Sequence, residues 1–365
     1  MIRALFKGSV GRTRVTQYLI ATTFVSGVVL AAGGASGAER TALGVTASSM
    51  TAGTWRELQT EGLTPELLQV HNGVYMANIL EYQNSGVWDP NSRQVLFVGG
   101  PHNPDTCRGK FIAYSEVENR WRQEKDPSPD YIHCTHSYDH NTINAEAGEL
   151  YFRPYNKPEI WKYMISTKKW SKLSDIPQRE YNCCGAIEYF PERRGILFVG
   201  TSEMAFYKVE RDSWSVPSGR VKTGPYHSTA EYSPVDKVLI FGGGSGVTSV
   251  YRMDTKGQVT RRTDSPYPLD SGGHSIFTAD PVSGRFLLFG ENGTFYEYDA
   301  GKDRWQLLNQ RPPFFDAGEH GPVEGSIAIP IATYGVVMVL TYSPRGPKVF
   351  LYRHGSGPGQ GPTGD

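Results

Sequence analysis

Short runs of consecutive apolar residues recur along the chain, and most of them end in glycine. Four runs have this form, at 95–100, 196–200, 238–243 and 286–290. A continuous apolar run of this length is typical of a strand that is buried on both faces. Glycine after the run allows the backbone to bend where neighbouring sheets crowd together. The pattern therefore predicts many short strands in sheets that are covered on both sides.

A second pattern follows these runs at similar distances. A tyrosine and then a tryptophan end each unit, and the tryptophans are Trp121, Trp170, Trp214 and Trp305. The intervals between them are 49, 44 and 91 residues, so the last interval equals two repeats of about 45 residues. The missing tryptophan position falls near Val259. An internal repeat of this length predicts a solenoid, a propeller or an array.

Each repeat is consistent with four antiparallel strands that begin with an inner strand and end with the tryptophan strand at the rim. The two ends of the chain complete the count. Residues 55–58 have the pattern of a lone tryptophan strand, whereas residues 326–352 contain three strands and lack the fourth. Together they form a final unit that closes the ring. The expected number of units is six, and a seventh built from residues 59–82 is the alternative.

These repeats resemble those of the kelch family, in which an apolar strand ending in Gly-Gly is followed by a tyrosine and a tryptophan. The resemblance covers about residues 54–354, and several of the Gly-Gly pairs are degraded. It implies an all-β fold, a six-bladed kelch-type β-propeller whose sheet edges are protected because the blades close into a ring.

The N-terminal pattern predicts export. Basic residues precede an apolar stretch of about 15 residues that ends near Ala32, and small residues follow it. This order is typical of a signal peptide, and the stretch is short for a membrane span. We therefore expect a signal peptide at 1–38, a flexible mature N-terminus at 39–53, the propeller at 54–354 and a disordered Gly/Pro-rich tail at 355–365. The expected location is secreted or periplasmic, with no membrane span after cleavage.

Charge and composition narrow the range of partners. Lys plus Arg equals Asp plus Glu, with 37 residues each, so the chain has no net field that would attract nucleic acid. We expect no nucleic-acid partner. Aromatic residues are 12% of the chain, and tyrosine and tryptophan provide amphipathic surfaces that stack on sugar rings. The expected partner is a polysaccharide or glycan, bound by a monomer.

Polar residues gather where the inner strands begin. Alignment of the repeats places the pairs His136-Ser137, His227-Ser228 and His274-Ser275 at equivalent positions. The inner strands of a propeller surround one axis, so these residues are expected to form a ring at one end of the channel. Seven of the nine histidines map to this end. A concave mouth with convergent polar groups is the default hypothesis for a functional site.

Two sets of candidate residues follow from this placement. The candidate catalytic residues are His136, His140, Tyr181, Arg194, Tyr226 and His227. The candidate substrate-binding residues are His102, Arg108, Tyr138, Asn182, His274, His320 and Glu324. The alternative is that polar residues at these positions form hydrogen bonds between blades and have no further role.

Three functions fit such a mouth. The first is β-elimination on a polymer that contains uronic acid, which needs a carboxylate clamp, a base and an acid, and Arg, His and Tyr suit these tasks. This residue set is similar in residue types, though not in a motif, to that of ulvan lyases, which are secreted propeller enzymes. The second is a non-catalytic propeller that binds carbohydrate or protein.

The third function is suggested by galactose oxidase, a copper radical enzyme of the kelch superfamily. Cys183 or Cys184 lies one repeat before Tyr226-His227, an order similar to the cross-linked cysteine and the copper ligands of that enzyme. A second Tyr-His pair three repeats later is absent, so the resemblance is incomplete. The sequence leaves open whether the histidine cluster binds a metal ion, and no other cofactor is expected.

All four cysteines lie in the mature part of the chain. An oxidising compartment permits disulfides. A bond between Cys107 and Cys134 would close a loop of about 27 residues and stabilise the fold by roughly 3–4 kcal/mol. The adjacent residues Cys183 and Cys184 either form a vicinal disulfide or remain two buried thiols.

Overall fold

Six four-stranded antiparallel sheets surround one axis, so the protein is a six-bladed β-propeller, as the repeats predict. The inner strands of successive blades contact one another in a closed circuit. The structure is a computed structural model. It describes residues 40–71, 76–101, 109–125, 136–177, 183–271, 273–316, 325–343 and 345–355.

The elements follow the chain in a simple order. The first are α1 (Ala42–Ser48), β1 (Thr54–Glu57), α2 (Pro65–Leu68), β2 (Gln69–His71) and β3 (Met76–Asn78). Blade 1 comprises β4 (Val87–Asp89), β5 (Gln94–Gly99), β6 (Lys110–Ser115) and β7 (Arg120–Gln123). Blade 2 comprises β8 (Asn141–Asn144), β9 (Glu149–Phe152), β10 (Trp161–Met164) and β11 (Lys169–Lys172). Blade 3 comprises β12 (Ala186–Phe190), β13 (Gly195–Gly200), β14 (Glu203–Lys208) and β15 (Ser213–Ser215).

Blades 4 to 6 repeat the same arrangement. Blade 4 comprises β16 (Ser228–Ser233), β17 (Val238–Gly243), β18 (Val250–Met253) and β19 (Val259–Arg262). Blade 5 comprises β20 (Ser275–Ala279), β21 (Phe286–Gly290), β22 (Phe295–Asp299) and β23 (Arg304–Leu307). Blade 6 contains β24 (Ser326–Ile331), β25 (Val336–Ser343) and β26 (Gly346–Arg353). Short 3₁₀ turns lie at Pro191–Arg193, Val209–Arg211 and Pro313–Asp316.

The second strand of each blade is apolar throughout because both of its faces are covered. In β17, Leu239 and Phe241 pack in the cluster shared with blade 3, whereas Val238 and Ile240 pack in the cluster shared with blade 5. Successive side chains of a strand point to opposite faces, so an unbroken apolar run serves two neighbouring blades at once. This explains why the runs do not alternate with polar residues.

The ring closes through the N-terminal strand, as the two ends of the sequence predict. Strand β1 pairs antiparallel with β26 and becomes the outer strand of blade 6, with Trp55 opposite Tyr352. The two rings stack with their centroids 4.6 Å apart. The alternative of a seventh blade is not realised. In the described part of residues 59–82, β2 and β3 form only a two-stranded sheet.

The segment before β1 differs from its expected flexibility, because residues 42–48 form the short helix α1. Thr41 Oγ1 accepts a hydrogen bond from Gly44 N at 3.1 Å and caps the helix. Leu43 and Ala47 are fully buried in the apolar cluster between blades 1 and 6. The proposed signal peptide at 1–38 and residues 356–365 of the proposed tail lie outside the described residues. Within the described part, no helix is long and apolar enough to cross a membrane.

Asn84, a fully buried residue just before blade 1, lies at the axis of the ring. Its Oδ1 accepts a hydrogen bond from Phe277 N at 2.8 Å, and its Nδ2 donates to Phe277 O at 2.9 Å. Its backbone oxygen accepts from Ala328 N at 2.9 Å. An inner strand has a free edge toward the axis, and those backbone groups need partners when they are buried. Asn84 supplies these hydrogen-bond partners for the inner strands of blades 5 and 6.

Asp139 supplies hydrogen-bond partners for the inner strands of blades 3 and 4. Its Oδ2 accepts from Ala230 N at 2.8 Å, and its backbone oxygen accepts from Ile187 N at 2.9 Å. Its Oδ1 accepts from Ser85 Oγ at 2.7 Å and from Asn84 Nδ2 at 3.1 Å. Burial raises the pKa of Asp139 to about 6. Asn84 and Asp139 together supply hydrogen-bond partners at the axis to the inner strands of blades 3 to 6.

Candidate binding site

The mouth is the end of the ring at which the inner strands begin. An inner strand and the strand after it are antiparallel, so the start of the first and the end of the second meet at this end. The described residues that define the mouth are Tyr82 before β4, His136 and Tyr138 before β8, Tyr155 after β9, Tyr226 and His227 before β16, Asp270 and His274 before β20, and Glu291 after β21.

Aromatic and imidazole rings pack together in the mouth. The ring of Tyr138 lies 4.8 Å from that of His136 and 4.7 Å from that of His227, centroid to centroid. The ring of Tyr82 lies 5.1 Å from His136 and 5.5 Å from His227. Most of these contacts are edge-to-face or tilted, which aromatic quadrupoles favour. His136 and Tyr138 are buried, 5% and 4% exposed, so they form the floor, whereas Tyr226 is 50% exposed at the side.

Three residues of this cluster have a left-handed backbone conformation. The φ angles are 57° at Tyr82, 28° at Tyr138 and 64° at His227. Such angles are uncommon for residues other than glycine and cost of order 1–3 kcal/mol each. Many of the other non-glycine residues with positive φ occupy hairpin turns, where the conformation is ordinary. Three in one ring cluster indicate that the surrounding fold holds these side chains in a fixed arrangement.

A carboxylate lies beside the imidazole of His227. His227 Nδ1 is 3.1 Å from Ser271 O and 3.5 Å from Asp270 Oδ1. A carbonyl oxygen only accepts, so Nδ1 carries a proton and donates it to Ser271 O, and in the neutral imidazole Nε2 then carries the lone pair. The neighbouring carboxylate and carbonyl thus fix the orientation of this imidazole.

A second imidazole connects two carboxylates. His274 Nδ1 is 2.9 Å from Glu291 Oε2, and its Nε2 is 3.8 Å from Asp270 Oδ2. The hydrogen bond to Glu291 raises the pKa of His274 above its usual value. Burial raises the pKa of Asp270, and His227 and His274 offset part of that effect. The mouth therefore carries two carboxylates beside two imidazoles.

These groups surround an open cleft of about 520 Å³. Its lining includes Tyr82, Tyr226, His227, Asp270 and Glu291. Among the described residues that line the cleft there is no lysine or arginine. The cleft combines ring faces with hydrogen-bond acceptors, a combination that suits a polar ligand with flat apolar faces.

His140, a candidate catalytic residue, lies in a buried layer below the mouth. Its Nε2 is 3.2 Å from Arg153 Nη1, and both residues are fully buried. Arg153 also donates to Cys183 O at 2.9 Å. Burial, followed by the charge of Arg153, holds the pKa of His140 well below its usual value. The lowered pKa favours the neutral imidazole, and the ring of His140 lies 5.6 Å from that of Tyr138, centroid to centroid.

Cys183 and Cys184 are joined by a disulfide. The bond lies just before β12 at the mouth end of blade 3, and the carbonyl of Cys183 accepts from Arg153. Neither sulfur is then available for a thioether link to Tyr226, so the resemblance to the cross-linked cysteine of galactose oxidase does not extend to this pair. The described residues form no group of three or more His, Cys, Asp or Glu that could hold a metal ion.

Arg194 is not at the mouth, contrary to the expected position of the clamp. It lies in the turn between β12 and β13, at the opposite end of the blade, with φ 47°. Its side chain is 75% exposed and pairs with Glu210 Oε1 at 2.7 Å. Alignment of inner-strand starts gave no reason to place it at the mouth, because a turn after the inner strand faces the other way.

Several candidate residues lie outside the described residues. They are His102, Arg108, Tyr181, Asn182, His320 and Glu324, together with the cysteines Cys107 and Cys134. Of the candidates that are described, the structure brings His136, Tyr138, Tyr226, His227 and His274 together at the mouth.

Sequence reasoning missed four residues of the mouth, which are Tyr82, Tyr155, Asp270 and Glu291. Two of them carried a usable signal. Asp270 lies four residues before His274, and Glu291 directly follows the glycine that ends an apolar run. Both residues lie at positions covered by the alignment of the repeats, which also identified the histidines of the mouth. Tyr82 had no such signal, because it lies in an irregular segment outside the repeat.

The opposite end of the channel contains a second cavity, of about 240 Å³. Its rim is mostly apolar and includes Trp88 and Tyr232, while Glu188 and Glu231 lie among its lining residues. Burial raises the pKa of Glu231 well above its usual value, and the charges of Asp139 and Glu188 raise it further. Two carboxyl groups therefore lie close to the axis on the side of the floor that faces away from the mouth.

Comparison with known proteins adds support for the fold only. No family model and no curated protein match this sequence. Among solved structures, a structural genomics protein of unknown function from Bacteroides thetaiotaomicron VPI-5482 is similar, with a TM-score of 0.52 and 12% identity over 81% of this chain and 75% of that chain. At this identity the similarity concerns the propeller fold. The resemblance to kelch repeats and to ulvan lyases is not confirmed.

Proposed function

We propose that the protein is an exported carbohydrate-binding propeller that holds a sugar at the mouth. The observation that carries this proposal is the cluster of tyrosine and histidine rings beside the open cleft, with Tyr226 exposed on its wall. Ring faces stack on the apolar faces of sugars, and carboxylates such as Asp270 accept hydrogen bonds from hydroxyl groups. The N-terminal pattern of basic, apolar and small residues supports export.

The backbone of the mouth supports the same proposal. Tyr82, Tyr138 and His227 all have positive φ angles, which the surrounding fold holds in place. Side chains that are already ordered lose little entropy on binding, so rigid ring surfaces are well suited to a weakly hydrophobic ligand such as a sugar.

The substitution Tyr226→Ala tests the proposal. We expect it to weaken the binding of sugars about tenfold, because stacking of one aromatic ring contributes roughly 1 kcal/mol or more. Titration calorimetry of the mature protein with neutral, amino and uronic oligosaccharides would measure this loss. Leu307→Ala is the matched control, since it removes an exposed apolar side chain from the outer strand of blade 5. Equal affinity of both variants, or no binding by the wild-type protein, would reject the proposal.

β-Elimination is the second candidate function, favoured by one contact. The rings of Tyr138 and His227 meet at 4.7 Å, and a neutral His227 that donates from Nδ1 to Ser271 O has its lone pair on Nε2, as a general base requires. It ranks second because the described residues lining the cleft include no basic clamp for a uronate. The protein would be incubated with the same oligosaccharides, and the ultraviolet absorbance of an unsaturated product would be measured. A product that forms with the wild-type protein and not with His227→Gln would move the assignment to a lyase.

A further inference from the structure

We infer that the sugar recognised at the mouth carries a primary ammonium group, so that the ligand class is an amino sugar with a free amine. The inference deepens the proposed carbohydrate-binding function and rests on it. Three features of the cleft support it: a buried carboxylate oxygen that lacks a donor, the sign of the local charge, and the positions of the tyrosine rings.

Asp270 presents an oxygen without a hydrogen-bond donor. The residue is 3% exposed, its Oδ2 accepts from Gly246 N at 3.3 Å, and its Oδ1 accepts no hydrogen bond from the described residues. His227 Nδ1 approaches Oδ1 at 3.5 Å, but its proton is directed to Ser271 O. A buried carboxylate oxygen in this state is costly unless a donor reaches it. Asp270 lines the cleft but Oδ1 has almost no exposed surface, so a ligand group would become that donor when the carboxyl rotates toward the cleft.

The cleft offers an ammonium group more partners than it offers an anion. Asp270 and Glu291 both line it together with His227 and His274, and none of its described lining residues is a lysine or an arginine. A uronate placed here would lie near two carboxylates in a partly desolvated site, where like charges repel more strongly than in water. An ammonium group would instead be attracted by both and would donate hydrogen bonds to them.

The tyrosine rings complete the environment of an ammonium group. Tyr82 and Tyr226 line the same cleft as Asp270. An aromatic face attracts a cation within about 6 Å of its centroid, and the same face stacks on the carbon skeleton of a sugar. A hexosamine with a free amine presents both features on neighbouring atoms. A neutral sugar uses only the stacking surface, and an N-acetylated sugar has no charge to offer Asp270.

Matched oligosaccharides test the inference. The mature protein would be titrated with a glucosamine tetramer, its N-acetylated form, a glucose tetramer of the same linkage and a uronic-acid tetramer. We expect the glucosamine tetramer to bind about tenfold more tightly than the glucose tetramer, since a cation–π contact and one ion pair contribute roughly 1–2 kcal/mol together. Asp270→Asn should remove this preference while the glucose tetramer still binds.

Controls separate the inference from the proposed function. Glu210→Gln removes one negative charge at the turn next to Arg194, away from the cleft, and should leave the preference unchanged. Glu291→Gln is the second cleft variant if Asp270→Asn does not fold, and it should reduce the preference. Equal binding of glucose and glucosamine tetramers, or tighter binding of the uronic-acid tetramer, would overturn the inference and leave carbohydrate binding intact. Failure of every tetramer to bind would overturn both.

Discussion

Asn84 makes the hydrogen bonds that a neighbouring strand would otherwise make. A propeller leaves the edge of each inner strand facing the axis, and the buried amide and carbonyl groups there require partners. A side-chain amide offers one acceptor and two donors with the same geometry as a peptide group. Asn84 therefore pairs with both backbone groups of Phe277, which lies 193 positions away in the sequence.

Asn84→Ala should destabilise the fold by about 1–3 kcal/mol, because Phe277 N would be buried without an acceptor. Urea unfolding followed by tryptophan fluorescence would measure the change. Asn91→Ala is the control, since Asn91 lies in an exposed hairpin turn and its loss leaves no buried backbone group unpaired. Equal midpoints for the two variants would show that the axial hydrogen bonds contribute no net stability.

At the scale of the element, the blades differ in how their strands are supplied. Five blades take four consecutive strands, whereas blade 6 combines β24, β25 and β26 with β1. Trp55 of β1 stacks on Tyr352 and also meets Phe314, with centroids 5.6 Å apart. One strand of four residues therefore joins the N-terminal and C-terminal parts of the chain, largely through a single large side chain.

Trp55→Ala should destabilise the propeller by about 3 kcal/mol, the usual cost of removing a large aromatic side chain from a packed cluster. The midpoint of urea unfolding would report it. Arg56→Ala changes the next residue of the same strand, whose side chain is exposed, and should leave the midpoint nearly unchanged. A comparable loss in both variants would indicate that β1 acts through its backbone pairing alone.

At the scale of the whole molecule, the axis collects ionisable groups that the fold removes from water. The pKa of Asp139 is raised to about 6 and that of Glu231 is raised further from its usual value, chiefly by burial. A carboxyl whose pKa is raised by folding contributes most stability below its unfolded pKa, and this contribution is lost as the pH rises through the folded pKa. His140 acts in the opposite sense, because its lowered pKa makes the fold less stable as the pH falls.

Glu231→Gln should therefore raise the melting temperature more at high pH than at low pH. Each pKa unit corresponds to about 1.4 kcal/mol, and each kcal/mol to roughly 2 °C for a chain of this size. Scanning calorimetry near pH 8 and near pH 5 would give the difference between variant and wild type. Glu61→Gln, an exposed carboxyl, is the control. A gain that does not depend on pH would show that folding does not shift the pKa of the Glu231 carboxyl.

Part of the mouth was accessible to sequence reasoning because the repeat copies positions. His136, His227 and His274 occupy equivalent places in three blades, and equivalent places in a closed ring must converge. The same alignment did not distinguish the buried His140 from an exposed ligand-facing residue, because Arg153 reaches it from the next strand. Arg194 was misplaced because residue type, and not position in the blade, suggested its role.

The repeat by itself determined the propeller, the number of blades and the closing strand, since apolar runs at a constant interval can be buried only when equivalent sheets pack face to face around an axis. Only the tertiary structure decided what lies at that axis. Asn84, Asp139 and Tyr82 come from irregular segments, whose positions depend on contacts with distant blades and not on any local period. Hydrogen-bond partners and burial at such positions are properties of the closed ring, so no pattern along the chain records them.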